Sequence, residues 1–273
     1  MSIPEDPSLL EKIEMIKGAI AEKEKVLVAF SGGVDSTTLA ALAFEVLGDN
    51  ALAVTLDSCA IPKSELENAK RTAKQIGIRH IVLEHDMLSN EMIRQNDPDR
   101  CYYCKKLFMR TLKDVIDQEG LNVLLEGTNA SEITGRRPGW AAINEAGDLV
   151  FTPYTEFGIT KKEVRQMARH LGLEVADKVS NACLLSRLPY GAEVTNSALR
   201  RIERAEEFLL FLGITHIRVR EHNDIARIEV LPVDFPVVHE KREELLSRFK
   251  ELGYSYITLD MEGFRSGSMD EVL

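Results

Sequence analysis

The chain has 273 residues, 44% hydrophobic and 29% charged, enough apolar side chain for one large core or two smaller ones. Its formal charge is −10; residues 1–190 (23 basic, 28 acidic) and 191–273 (11 and 16) each carry −5, so neither part has the basic excess of a nucleic-acid binder. No apolar run is long enough to span a bilayer, and "MSIPEDPSLLEK" lacks the basic-then-apolar pattern of an export signal, so the expectation is a cytoplasmic protein with neither membrane nor nucleic acid as a partner.

In chain order, "KVLVAF" (25–30) is a continuous apolar run, the pattern of a strand buried on both faces of a parallel sheet. "SGGVDS" follows, and the Ala/Leu-rich stretch after it reads as a helix capped by Asp35 or Ser36. "ALAVTLDS" (51–58) reads as a second strand, 64–77 as a helix stopped by Gly77, and "RHIVLEHDML" (79–88) as a third strand. A polar loop, "SNEMIRQNDPDR", leads into the helical "CYYCKKLFMRTLKDVIDQEG", closed by Gly120. "NVLLEGTNA" (122–130) and "LVFTPY" (149–154) complete five strands, and 160–171 is a capped helix. Such β/α alternation predicts an α/β fold, a doubly wound parallel sheet with ligands at the carboxyl ends of its strands.

The texture changes after "RLPYG" (187–191). A helix over 196–212, a hairpin from "THIRVREH" and "DIARIEVL", a helix over 235–252 and the strand "YSYITLD" make a small α+β unit. The expected division is therefore 1–190 and 191–273.

Strand, glycine turn and helix start bring backbone N–H groups and a positive helix end to one point, an anion site. It is no Walker loop, because Val34-Asp35-Ser36 stands where that loop needs lysine, and no dinucleotide fingerprint, because only Gly32 and Gly33 are present. Cys101 and Cys104 form C-x-x-C at a helix start, where Arg100, Lys105, Lys106 and the helix terminus would lower their pKa values. Cys183 stands apart, at the junction of the two parts, and Cys59 reads as buried core filler. Three thiolates are too few for a closed zinc site and suit a [4Fe–4S] cluster with one open iron. Zinc with His85 or His80 as fourth ligand, or a redox disulfide between Cys101 and Cys104, are the alternatives.

"SGGVDS" after a buried strand resembles the pyrophosphate loop of the N-type ATP pyrophosphatase superfamily. These enzymes split ATP between its α and β phosphates. That resemblance implies ATP held by Ser31, Gly32, Gly33 and Ser36, with Asp35 orienting Mg²⁺ or a phosphate-bound water. It also implies Asp57 at the adenosine, Gly127 and Asn129 of "EGTNASE" near the α-phosphate, and Lys161 of "GITKKEVR" as a phosphate-binding lysine. "NDPDRCYYCKK", "RRPGWAA", "NACLLSRLPYG", "RVREHNDIARIEV" and "FRSGSM" extend the likeness over nearly the whole chain, and together they resemble the LarE family.

Members of that family are ATP-dependent sulfurtransferases acting on pyridinium-3,5-biscarboxylic acid mononucleotide, on the way to the nickel-pincer nucleotide of lactate racemase. In one form a single cysteine at the Cys183 position gives up its own sulfur. In the other it joins the C-x-x-C pair on a [4Fe–4S] cluster supplied by sulfide or another sulfur donor. Cys101, Cys104 and Cys183 resemble the second form. The likeness further implies Ser186, Arg187, Arg218 and Arg220 at the substrate phosphate, Glu206 assisting proton transfer, and a homo-oligomer, trimer or hexamer. Arg218 and Arg220 share one face of a predicted strand, and Arg227 and Glu229 alternate likewise on its partner. Glu132-Ile133-Thr134 and "LVFTPY" depart from the family pattern. The rival readings are a tRNA thiolase and an AMP-forming amidating ligase.

Overall fold

A computed structural model describes residues 7–133, 137–178, 183–265, 267–269 and 271; Thr134, one of the departures, lies outside them. The described residues gather into two compact units: one from Met1–Ser58, Lys63–His85 and Cys101–Ser180, the other from Cys59–Pro62, Asp86–Arg100 and Asn181–Leu273.

In the first unit, helix α1 (Leu9–Ala21) opens with a capping box in which Ser8 and Glu11 satisfy each other's backbone N–H groups. Strand β1 (Val26–Ala29) leads through the glycine loop to α2 (Val34–Leu47), and β2 (Ala51–Asp57) to α3 (Lys63–Ile76) and β3 (Arg79–Glu84). The short α4 (Glu91–Arg94), inside the expected polar loop, belongs to the second unit, as does Arg100, the first residue of α5 (Arg100–Glu119). Then come β4 (Val123–Leu125), α6 (Pro138–Glu145), β5 (Val150–Phe151), α7 (Pro153–Glu156) and α8 (Lys161–His170).

All five strands are parallel, in the order β3-β2-β1-β4-β5. Side chains alternate across the sheet. Val26, Val28, Ala51 and Ala53 pack with α1, α2, α3 and α8, whereas Leu27, Leu52, Val54 and Leu56 meet Met109, Leu112 and Ile116 of α5. Helices thus cover both faces, the expected doubly wound α/β arrangement. The strand order reverses between β1 and β4, and the glycine loop leaves the sheet there.

In the second unit, α9 (Asn196–Phe211) packs on a three-stranded sheet, β6-β7-β8. Strands β6 (Ile217–His222) and β7 (Ile225–Val230) form the expected hairpin, and β8 (Tyr256–Leu259) runs parallel to β7. The helix expected over 235–252 is two, α10 (Phe235–Glu240) and α11 (Arg242–Glu251), broken at Lys241. Among the described residues no helix is long and apolar enough to cross a membrane.

Candidate active site

The loop between β1 and α2 is shaped by its own hydroxyls. The Ser31 N–H donates to Ser36 Oγ at 3.1 Å, the Gly33 N–H to Ser31 Oγ at 3.3 Å, and Ser36 Oγ to the Gly33 carbonyl at 3.3 Å. Gly33, not Asp35 or Ser36, is the N-cap of α2, and no side chain caps that helix. Capping is absent because Asp35 and Ser36 already lie in the first turn, leaving the opening N–H groups to an incoming anion. Gly32 has φ +70°, and a Cβ there would stand 2.8 Å from the Ala69 backbone, so glycine is required. A Cβ on Gly127 would come within 3.3 Å of Asp35 and Ser36, so the "EGTN" turn lies directly against the loop.

Asp35 is the hub of this half of the site. Asn129 Nδ2 donates to its Oδ1 at 3.0 Å, Lys161 Nζ pairs with its Oδ2, and the Tyr154 hydroxyl donates to its carbonyl at 3.2 Å. Lys161 is set by the start of α8, where Thr160 and Glu163 form a capping box, and its backbone N–H donates to Ser131 Oγ at 3.1 Å. The fold thus brings Ser31, Gly32, Gly33, Asp35, Ser36, Gly127, Asn129 and Lys161 to one place. Asp57 ends β2 on the same carboxyl edge, and its carbonyl accepts from the His85 N–H at 2.7 Å. Two contributors escaped sequence reasoning, Tyr154 and Lys178. Lys178 Nζ donates to the Gly32 carbonyl at 3.5 Å and pairs with Glu65. A lone lysine after a helix carries no local signal of such a contact.

Cys101 and Cys104 lie at the start of α5, three residues apart and so on one helix face. Cys101 is exposed and Cys104 half-buried. The cations expected to act on them also have other partners, and Lys105 keeps an electrostatic interaction with Cys104. Lys105 Nζ donates to Glu126 Oε1 at 2.9 Å and Lys106 Nζ to Glu145 Oε2 at 3.0 Å, while the Arg100 guanidinium sits 4.4 Å over the Tyr190 ring. Burial alone would lower Lys105 and raise Glu126, but their mutual attraction, with the Thr128 N–H on the carboxylate, moves each the other way.

Cys183, exposed, belongs to the second unit and precedes a 3₁₀ turn, Leu184–Arg187. Ser186 Oγ donates to the Cys183 carbonyl at 2.8 Å, and Arg187 Nη1 reaches the same oxygen at 3.3 Å. Arg187, only 1% exposed, makes a two-pronged pair with Glu206, at 2.8 and 2.9 Å. Glu206 Oε1 also accepts from the Val219 N–H at 2.9 Å.

Arg218 and Arg220 project from one face of β6. Arg220 Nη1 donates to the Ser186 carbonyl at 2.7 Å, and its Nη2 to Glu229 at 2.9 Å. Arg218 donates to the Ile217 carbonyl at 2.6 Å and lies 4.9 Å over the Phe264 ring, and among the described residues no carboxylate hydrogen-bonds it. Burial first, then the charges of Arg187 and Arg220, push Arg218 down to about 10. Such a guanidinium is stabilised by an anion.

Cys59, expected as buried filler, is half-buried. Its thiol is pushed up to about 11 by burial and then by the nearby Cys183, whose neighbour Leu184 donates its N–H to the Ala60 carbonyl at 3.0 Å. Among the described residues no three His, Cys, Asp or Glu side chains are gathered to hold a metal ion.

A family model described as NAD synthase matches residues 10–187. An uncharacterized protein of Synechocystis is 39% identical, over 97% of this chain and 99% of its own. The pyridinium-3,5-bisthiocarboxylic acid mononucleotide synthase of Lactiplantibacillus plantarum is 37% identical, over 97% and 96%. An uncharacterized protein of Methanocaldococcus jannaschii is 31% identical, over 94% and 98%.

Proposed function

The chain belongs to the NAD synthase family and, within it, to the family of the Lactiplantibacillus synthase, and on that premise we propose that it is an AMP-forming, ATP-dependent sulfurtransferase. Its substrate is pyridinium-3,5-biscarboxylic acid mononucleotide, whose carboxylate it converts to a thiocarboxylate for a nickel-pincer cofactor. One observation carries the choice of sulfur transfer over amidation. Cys183 is held through its carbonyl by Ser186 and Arg187, inside the arginine set of the second unit.

The Gly32–Ser36 backbone and the start of α2 hold the ATP phosphates, Asp35 would hold Mg²⁺ or a phosphate-bound water, and Lys161 turns from Asp35 to the α-phosphate. Asp57 faces the adenosine, and Gly127 and Asn129 close on the α-phosphate. A substrate carboxylate oxygen attacks the α-phosphorus, the bond to the β-phosphate oxygen breaks, and pyrophosphate leaves. Hydrosulfide then forms a carbon–sulfur bond to the acyl carbon, the bond from that carbon to AMP oxygen breaks, AMP and the sulfur's proton leave, and the thiocarboxylate remains. Activation is needed because an unmodified carboxylate oxygen is a poor leaving group.

Arg187, Arg218 and Arg220, with Ser186, hold the substrate's own phosphate; Arg218 supplies a charge that no carboxylate hydrogen-bonds among the described residues. Glu206, with both oxygens engaged, serves first to position Arg187. Cys101, Cys104 and Cys183 would supply the thiolates of a [4Fe–4S] cluster, which when bound would supply replaceable sulfur.

Pyrophosphate release from ATP on adding the dicarboxylate mononucleotide, with a product in which sulfur replaces oxygen, is the expected result. Release driven by ammonia instead would favour an amidating ligase, and retardation of tRNA in a gel a tRNA thiolase. Protein reconstituted without oxygen should show an iron–sulfur absorption band that Cys101→Ala, Cys104→Ala and Cys183→Ala each abolish. Loss of H₂S mass from Cys183 after one turnover would instead establish the sacrificial route.

A further inference from the structure

The stretch "FRSGSM" has no role in that chemistry, yet Phe264, Ser268 and Met269 of it lie against the arginines of the second unit. Gly263 (φ +74°) turns the chain after β8, where a Cβ would stand 2.8 Å from the Val230 carbonyl, and the Phe264 N–H donates to that carbonyl at 2.8 Å. From there Phe264 lies under the Arg218 guanidinium, and Met269 Sδ accepts from Arg227 Nη2 at 3.6 Å. Ser268, 6% exposed, takes the central position. Its Oγ accepts from Arg220 Nη2 at 2.9 Å and donates to Glu229 Oε1 at 2.8 Å, closing a ring of three buried groups.

The ring leaves one edge of Arg220 over. Nη1 is taken by the Ser186 carbonyl and Nη2 by Glu229 and Ser268, while Nε is buried without a hydrogen-bond partner. Arg220 is 4% exposed and Glu229 0%, so the guanidinium cannot turn without breaking buried bonds. A buried donor with no acceptor is costly, and an anionic oxygen is the acceptor that suits it.

We infer that Ser268 is a positioning residue for substrate recognition: through Glu229 it locks Arg220 so that Nε meets an oxygen of the substrate's phosphate. Ser268 is therefore part of the support of the anion site. This inference rests on the reading of Arg187, Arg218 and Arg220 as the phosphate site, and its test separates the two.

Initial rates of pyrophosphate release are measured with the pyridinium dicarboxylate mononucleotide and with its dephosphorylated nucleoside. Ser268→Ala should raise KM for the mononucleotide about fivefold to tenfold, the worth of one buried hydrogen bond. KM for the nucleoside, KM for ATP and kcat should not move. Ser268→Thr, which keeps the hydroxyl, should restore the mononucleotide KM, and Ser268→Cys, close in size but a weak donor, should behave like alanine and serves if the alanine variant fails to fold. An unchanged mononucleotide KM in the alanine and cysteine variants, or an equal rise for both substrates, overturns the inference. Arg218→Ala distinguishes the failures. If it too leaves the preference for the phosphorylated substrate intact, the phosphate-site reading falls and the Ser268 role with it; if it abolishes that preference while Ser268→Ala does not, only the Ser268 role falls.

Discussion

Gly32→Ala offers a direct measure of how tightly the phosphate loop is built. Two costs add. A side chain at φ +70° costs about 1–2 kcal/mol. The new Cβ would also lie 2.8 Å from Ala69 Cα and 3.0 Å from its N and Cβ, atoms of α3 that move only with the helix. Relieving such an overlap costs about 1–3 kcal/mol, so the total is about 2–5 kcal/mol. Gly172→Ala isolates the first cost, because Gly172 has φ +68° and nothing within 4 Å of its would-be Cβ. Urea unfolding of both variants, with KM for ATP from pyrophosphate release, gives the comparison. Gly32→Ala should lose at least about 1 kcal/mol more than Gly172→Ala and bind ATP more weakly, because the displaced Gly32 carbonyl accepts from Asn68 and Lys178. Equal losses, with ATP affinity unchanged, would refute the claim that α3 props the loop.

Glu206→Ala should destabilise the second unit by about 3–5 kcal/mol, since it removes the two-pronged carboxylate partner of the buried Arg187, and Glu206→Gln by less; a loss below about 1 kcal/mol in urea unfolding would contradict this. Glu163 is raised by burial but more strongly lowered by Lys12 and Thr160, to about 2 in the folded state against an ordinary value of 4.5. Its folded pKa is depressed, so its contribution is complete above pH 4.5 and lost as pH falls toward 2; Glu163→Gln should flatten that part of the stability–pH curve, measured by thermal unfolding. Cys59, pushed up to about 11, has a thiolate fraction of roughly one in a thousand at pH 8, so iodoacetamide should modify Cys101 and Cys183 well before it, as read by peptide mass spectrometry.

Much of the architecture is legible in runs of residues. Val26–Ala29 is apolar throughout, Ala51–Asp57 is apolar except for Thr55 and its last residue, and both lie where the pattern puts them. Strand ends are less legible. "LVFTPY" yields only Val150–Phe151, because Pro153 cannot donate to a ladder and instead opens α7. The expected third strand stops at Glu84, its last residue paired with β2, and the chain passes into the second unit at Asp86. No residue type announces the break at Lys241 between α10 and α11. The phosphate loop stood out because its chemistry is local, with glycines, hydroxyls and a helix start within six residues.

The order of residues by itself determined the local chemistry: a glycine loop that offers N–H groups to an anion, two thiols one helical turn apart, and two arginines on one face of a strand. Only the tertiary structure decided which distant groups serve them. Lys161 and Asn129 meet Asp35 across 126 and 94 residues, and Ser268 meets Arg220 across 48. Periodicity reports which face of an element is apolar, whereas these pairings follow from how the elements pack, and packing is set by the burial of the whole core.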